Sequence, residues 1–103
     1  MPSDIRPSEF LSRDASAPVL DVRTPAEYAE GHLQGTQNVD FLADDFEQKF
    51  DALDLPKDQT VYLHCRSGAR SGKAAELLRK KGYTDTINAG GFEDLAKAGA
   101  PTA

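Results

Sequence analysis

Very little in this chain can bind a metal, bridge to itself or cross a bilayer. Its 103 residues hold one cysteine, Cys65, and two histidines, His32 and His64. A lone cysteine cannot close an internal disulfide, which suits a reducing compartment and leaves a thiol whose reactivity needs a reason. One cysteine and two histidines, with His64 adjacent to Cys65, do not give the usual ligand spacings, so neither a metal nor a cofactor is expected. No apolar run is long enough to span a bilayer, and Met1-Pro2-Ser3-Asp4 lacks the basic then apolar opening of a secretory signal. The expectation is a cytoplasmic protein with no membrane partner. Internal repeats and low-complexity segments are also missing, and the length is that of one domain, expected over residues 1–103.

Basic residues are scarce too: 12 Lys and Arg stand against 17 Asp and Glu, for a net charge of -5. That balance argues against a nucleic-acid partner. Its distribution says more. Acids crowd the segment 40–58, where only Lys49 and Lys57 oppose them, whereas Arg66, Arg70, Lys73, Arg79, Lys80 and Lys81 share a stretch whose only acid is Glu76. Positive charge gathered around the single cysteine of an acidic chain predicts a small anionic ligand there. Arg79, Lys80 and Lys81 read more simply as residues favoured at a helix C-terminus.

Strand and helix signals alternate along the chain. Ile5-Arg6 is expected as a short edge strand, followed by a helix from about Pro7, with Ser8 and Glu9 in its first turn. Pro18 to Val22 reads as a strand. Thr24 is placed to cap a short helix that has Pro25 first and stops at Gly31. Asn38-Val39 opens a third strand, and Leu42, Phe46, Phe50 and Leu53 mark one face of a helix ending before Pro56. Thr60 to His64 has the β-branched and aromatic make-up of a buried strand. Ala74 to Leu78 places apolar residues at helical spacing, and Gly82 with Tyr83 is suited to close that helix in a Schellman motif. Thr84 to Asn88 supplies the last strand, and Gly90-Gly91 leads to a helix near Phe92 to Lys97. The alternation predicts an α/β fold with an open, mainly parallel sheet and helices on both faces.

Cys65 therefore lies at a strand-to-helix turn, beyond the C-terminal end of a strand, where ligands bind in such folds. Backbone N–H groups of the loop Arg66-Ser67-Gly68-Ala69-Arg70-Ser71 and the positive end of the following helix favour negative charge at its centre. A thiol there ionises readily and attacks electrophiles. Arg66 and Arg70 are placed to orient an anionic donor. Ser67 or Ser71 either bonds the sulfur or caps the helix. His64 neighbours Cys65 in sequence, but adjacent strand side chains point to opposite faces, so it reads as structural. Asp21, Arg23 and Glu27 are expected to form a structural polar network, and Met1, Tyr28, Tyr62 and Tyr83 to serve packing.

These residues resemble the rhodanese homology domain, specifically its single-domain sulfurtransferases. The resemblance rests on Leu20-Asp21-Val22-Arg23, Glu27-Tyr28, Gly31-His32-Leu33, Gly35, Asn38-Val39, the loop Cys65 to Ser71, and Gly90-Gly91-Phe92, in that order. Leu33 and Thr36 depart mildly from the commoner residues. The resemblance implies a five-stranded rhodanese-like sheet, a structural role for His32, and Cys65 cycling between thiol and persulfide as catalytic residue. Loop residues Arg66, Ser67, Gly68, Ala69, Arg70 and Ser71 would bind the substrate. The partners implied are a small anionic sulfur donor such as thiosulfate and a cyanide or thiol acceptor, with a protein as a further acceptor.

Two other readings compete. His64-Cys65 followed by Arg70-Ser71 looks like the loop of a cysteine phosphatase or arsenate reductase. Those enzymes set five residues between cysteine and arginine, whereas Arg66, Ser67, Gly68 and Ala69 are four, a tighter ring that suits one terminal sulfur better than a phosphoryl group. A non-catalytic rhodanese interaction module is the second alternative, although such modules often lack the cysteine or its loop.

Overall fold

The computed structural model describes residues 3–103. In chain order the elements are α1 (Pro7–Leu11), β1 (Val19–Asp21), α2 (Pro25–Glu30), β2 (Gln37–Asn38), α3 (Phe46–Asp51), β3 (Val61–Cys65), α4 (Ala69–Lys80), β4 (Thr86–Gly91) and α5 (Phe92–Lys97). These four strands pair in parallel, in the order β2-β1-β3-β4, and an antiparallel bridge joins Leu33 to Thr102 outside them. Among the described residues the sheet thus has four strands, not the expected five. Ile5-Arg6 is the strand that does not form. The Asp4 N–H does reach Asn88 O at 2.8 Å, but the Asp4 carboxylate takes the Asn88 N–H at 2.8 Å, so a side chain stands where the ladder needs the next backbone acceptor. Met1, expected to pack, lies outside the described residues.

Local chemistry explains the element ends. At α2, Thr24 Oγ1 accepts the Glu27 N–H at 3.3 Å while the Glu27 carboxylate accepts the Thr24 N–H at 3.0 Å, with Pro25 as the first helical residue. At the end of α4, Gly82 takes φ 102° and donates to Arg79 O at 3.0 Å, while Tyr83 N–H reaches Leu78 O at 3.1 Å, completing the Schellman pattern. The helix expected from Leu42 starts only at Phe46. Leu42 donates its N–H to the Asp40 carboxylate at 2.9 Å in a local turn and is 63% exposed.

Helices cover both faces of the sheet. Leu20, Val22, Val61, Leu63 and Cys65 pack with Phe46, Phe50, Ala74, Ala75 and Leu78 on the α3 and α4 side. Val19 and Ala89 pack with Phe10 and Leu95 on the α1 and α5 side, where Tyr62 also lies. Along β3 the odd-numbered side chains therefore face α4, and this alternation delivers Cys65 to the N-terminal end of that helix. Among the described residues no helix is long and apolar enough to cross a membrane.

Candidate active site

Cys65 ends β3, and α4 begins at Ala69 after a turn in which Gly68 takes φ 96°, a left-handed backbone that glycine adopts without steric cost. This brings the Gly68 N–H to 3.0 Å from Cys65 Sγ and the Ser71 hydroxyl to 3.5 Å. Burial of Cys65 pushes its thiol up. The Ser71 hydroxyl, then the backbone N–H groups of Ser71, Ser67 and Gly68, outweigh burial and hold the thiol below its ordinary value. Of the two serines, Ser71 therefore approaches the sulfur with its side chain, while Ser67 acts through its backbone.

Asn88 on β4 holds the nest from behind. Its Oδ1 accepts the Ser71 hydroxyl at 2.7 Å and the Gly90 N–H at 3.0 Å, and its Nδ2 donates to Gly68 O at 2.9 Å. These three bonds fix the amide orientation and tie the start of α4 to the sheet. Ser71 has one proton, and its oxygen lies closer to Asn88 Oδ1, at 2.7 Å, than to the sulfur, at 3.5 Å; a thiolate competes for that proton more strongly than a thiol. Ser71→Ala is therefore expected to raise the Cys65 pKa and slow alkylation by iodoacetamide severalfold at neutral pH. The rate measured across a pH series checks this; an unshifted profile excludes Ser71 from thiolate stabilisation.

The same strand approaches the loop without side chains. Pairing runs Leu63 to Asn88, then His64 to Gly90 and Cys65 to Gly91, so that Ala89 is an extra residue at a bulge. A Cβ on Gly91 would lie 2.7 Å from Arg66 O and 3.2 Å from Ser67 Cα, so the close approach requires glycine. The sequence marked Gly90-Gly91 as a lead into α5 and as part of the family resemblance, without this close approach, and gave Asn88 no role beyond its strand. The local signal for Asn88 was weak, since Thr84, Asp85 and Thr86 make the same stretch polar; only its place two residues before the glycine pair set it apart.

Of the two loop arginines, Arg70 is not free. Its guanidinium grips Glu27 at 2.8 and 3.1 Å, linking α4 to α2, and this bond above all pulls the Glu27 carboxyl down to about 2. The expected network of Asp21, Arg23 and Glu27 is accordingly split. Asp21 and Arg23 form a buried pair at 2.7 Å, with Arg23 also donating to Gly31 O at 2.6 Å, and Glu27 belongs to Arg70. Arg66 is exposed and, among the described residues, has no ion-pair partner. Ala69 is exposed at the first turn of α4 and contributes backbone alone.

His64 lies on the opposite face of β3 from the sulfur. It is fully buried, its Nδ1 is 3.4 Å from Cys65 O, and its Nε2 has no hydrogen-bond partner among the described residues and stands 3.9 Å from Asp21 Oδ2. Burial pushes its pKa below the ordinary 6.5, only partly offset by the Asp21 charge. The unfolded chain then takes up this proton before the folded one, so this contribution to stability is complete above about pH 6.5 and falls away below it. The urea midpoint should drop between pH 7.5 and 5.5, and His64→Gln, which cannot take the proton, should flatten that part of the profile. Among the described residues no group of three or more His, Cys, Asp and Glu side chains is placed to hold a metal ion.

Residues 7–98 match the family model described as a rhodanese-like domain. Over 77 residues the chain is 36% identical to the thiosulfate sulfurtransferase PspE of Escherichia coli (strain K12), spanning 75% of this chain and 72% of that protein. It is 33% identical over 95 residues to a sulfurtransferase of Allochromatium vinosum, spanning 91% and 85%. Among solved structures it is similar to a rhodanese with anions from E. coli, at 34% identity and a TM-score of 0.72, covering 85% of this chain and 98% of that one.

Proposed function

The chain belongs to the rhodanese-like domain family, and on that premise we propose that it moves a sulfane sulfur from thiosulfate or a related persulfide donor to cyanide or a thiol through a persulfide on Cys65. The observation that carries this reading is the sulfur seated 3.0 Å from the Gly68 N–H at the start of α4, with the Ser71 hydroxyl beside it. In the first half-reaction the Cys65 thiolate attacks the outer sulfur of thiosulfate. An S–S bond forms at Sγ, the sulfur–sulfonate bond breaks, and sulfite leaves with the bonding pair. In the second, cyanide or a thiolate attacks the terminal sulfur, and the pair of the cleaved bond returns to Sγ.

The backbone N–H groups of Ser67, Gly68 and Ser71 hold negative charge on the thiolate, and on the terminal sulfur once loaded, as an oxyanion hole holds oxygen. Arg66 attracts the anionic donor. Arg70, neutralised by Glu27, positions the loop and adds a weaker attraction. A reducing, cytoplasmic setting suits a protein that must keep its single thiol unpaired.

Intact mass spectrometry after incubation with thiosulfate tests the proposal. One added sulfur atom on Cys65 is expected, removed by cyanide or a thiol, with no turnover of p-nitrophenyl phosphate because the four-residue ring is too narrow for a phosphoryl group. Cys65-dependent hydrolysis of aryl phosphates without any persulfide would replace this reading by the phosphatase one.

A further inference from the structure

Beside the catalytic loop lies a cavity of about 250 Å³ lined by Arg23, Glu27, Glu30, Gly31, Arg66, Phe92 and Glu93. It joins the residue after Cys65 to the end of α2 and the start of α5. Two of its charges are already spent inside the fold: Arg23 is paired with Asp21 and lies over the Phe92 ring, its guanidinium carbon 4.5 Å from the centroid, while Glu27 is paired with Arg70. Arg66, Glu30 and Glu93 are left without ion-pair partners among the described residues. Glu30 is the last residue of α2, where the helix dipole disfavours a carboxylate, so local helix stability does not account for it. The cavity thus offers one cation and two carboxylates around an aromatic wall.

A simple inorganic anion such as the donor is met by Arg66 at the loop edge alone and leaves before the acceptor enters; it does not match the whole set, because the two carboxylates repel it. A molecule carrying both an ammonium and a carboxylate does match. The volume corresponds to about eight waters at ~30 Å³ each, room for an amino-acid-sized molecule.

Resting on the sulfurtransferase reading, we propose that this cavity receives the sulfur acceptor and selects amino-acid-sized aminothiols, with Glu30 and Glu93 facing the ammonium and Arg66 the carboxylate. The acceptor thiolate attacks the terminal sulfur of the Cys65 persulfide; the new S–S bond forms on the acceptor, the old one breaks, and its electron pair stays on Sγ. Only one sulfur moves, so no external oxidant or reductant is needed.

The test loads Cys65 with sulfur from thiosulfate and follows its discharge in a single turnover by free cysteine, cysteamine, 3-mercaptopropionate and 2-mercaptoethanol. Each rate is divided by that thiol's rate with a small organic persulfide, which removes differences in intrinsic nucleophilicity. The corrected ratio of cysteine to 3-mercaptopropionate is expected to be about fivefold or more, the scale of two exposed ion pairs. Cysteamine should share most of that advantage. Replacing Glu30→Gln and Glu93→Gln together should bring the ratio toward one, and because both side chains are exposed, the variant keeps its fold. A ratio near one in the normally loaded wild type, or one indifferent to the double replacement, overturns the acceptor site alone. Failure of Cys65 to load at all overturns the sulfurtransferase reading, and the acceptor site with it.

Discussion

Cys65→Ala and Cys65→Ser are expected to lower thiosulfate:cyanide sulfur transfer by at least about a thousandfold, because the chain has no second thiol to carry the sulfur. The fold should survive. Cys65 is wholly buried in the α3 and α4 core, so alanine leaves a gap of one sulfur atom, costing about 1 kcal/mol and lowering Tm by about 4–8 °C. Serine leaves the Gly68 N–H with an oxygen to bond. Steady-state rates, intact mass and a circular dichroism melt separate the two effects. Activity near that of the wild type in a folded Cys65→Ala protein would remove the nucleophile from the mechanism.

Gly91→Ala tests whether the nest is held in advance of the reaction. The added methyl would meet the backbone oxygen of Arg66 at 2.7 Å, and since a Cβ is fixed by its own backbone, no side-chain rotation relieves that contact. Either the loop moves or β4 does. Forced contacts of this kind cost about 1–3 kcal/mol. A displacement of about 1 Å at the sulfur cradle is expected to cost about a hundredfold in the rate of persulfide formation. Gly35→Ala provides the comparison: Gly35 takes φ 81°, so alanine there is strained, but nothing lies within 4 Å of the new methyl. It should lower Tm while leaving the rate per folded molecule untouched. Equal rates in the two variants would mean that the loop tolerates displacement and that preorganisation contributes little.

The order of elements was legible because punctuation and periodicity agreed. Thr24-Pro25, Gly82-Tyr83 and the apolar run before Cys65 each carry a local mechanism that needs no distant partner, and each folds as read. Ile5-Arg6 failed for the opposite reason: whether it adds a strand depends on how Asp4 meets Asn88, 84 residues away. Leu42 fits a helical face on paper, yet the Asp40 carboxylate captures its N–H and breaks the helix before it starts. At the candidate site, the turn between β3 and α4 that holds Cys65 was legible from the change in periodicity on either side of it. The pairing of Arg70 with Glu27 was not, since it spans 43 residues and nothing local to either one requires it. Asn88 was hidden in the same way, its three bonds reaching residues on the loop and across the bulge.

The nest is restrained from outside the loop by a parallel neighbour and a distant helix: Glu27 from α2, Asn88 and Gly91 from β4. Parallel pairing cannot be reached through a local hairpin, so β3 and β4 meet only after the intervening α4 has folded back, a slow class of folding event. A chain emerging from a ribosome therefore lacks the β4 restraints on the Cys65 loop until residues past Gly91 are available. A peptide spanning the loop alone would have the sequence of the nest without the groups from α2 and β4 that hold it in place.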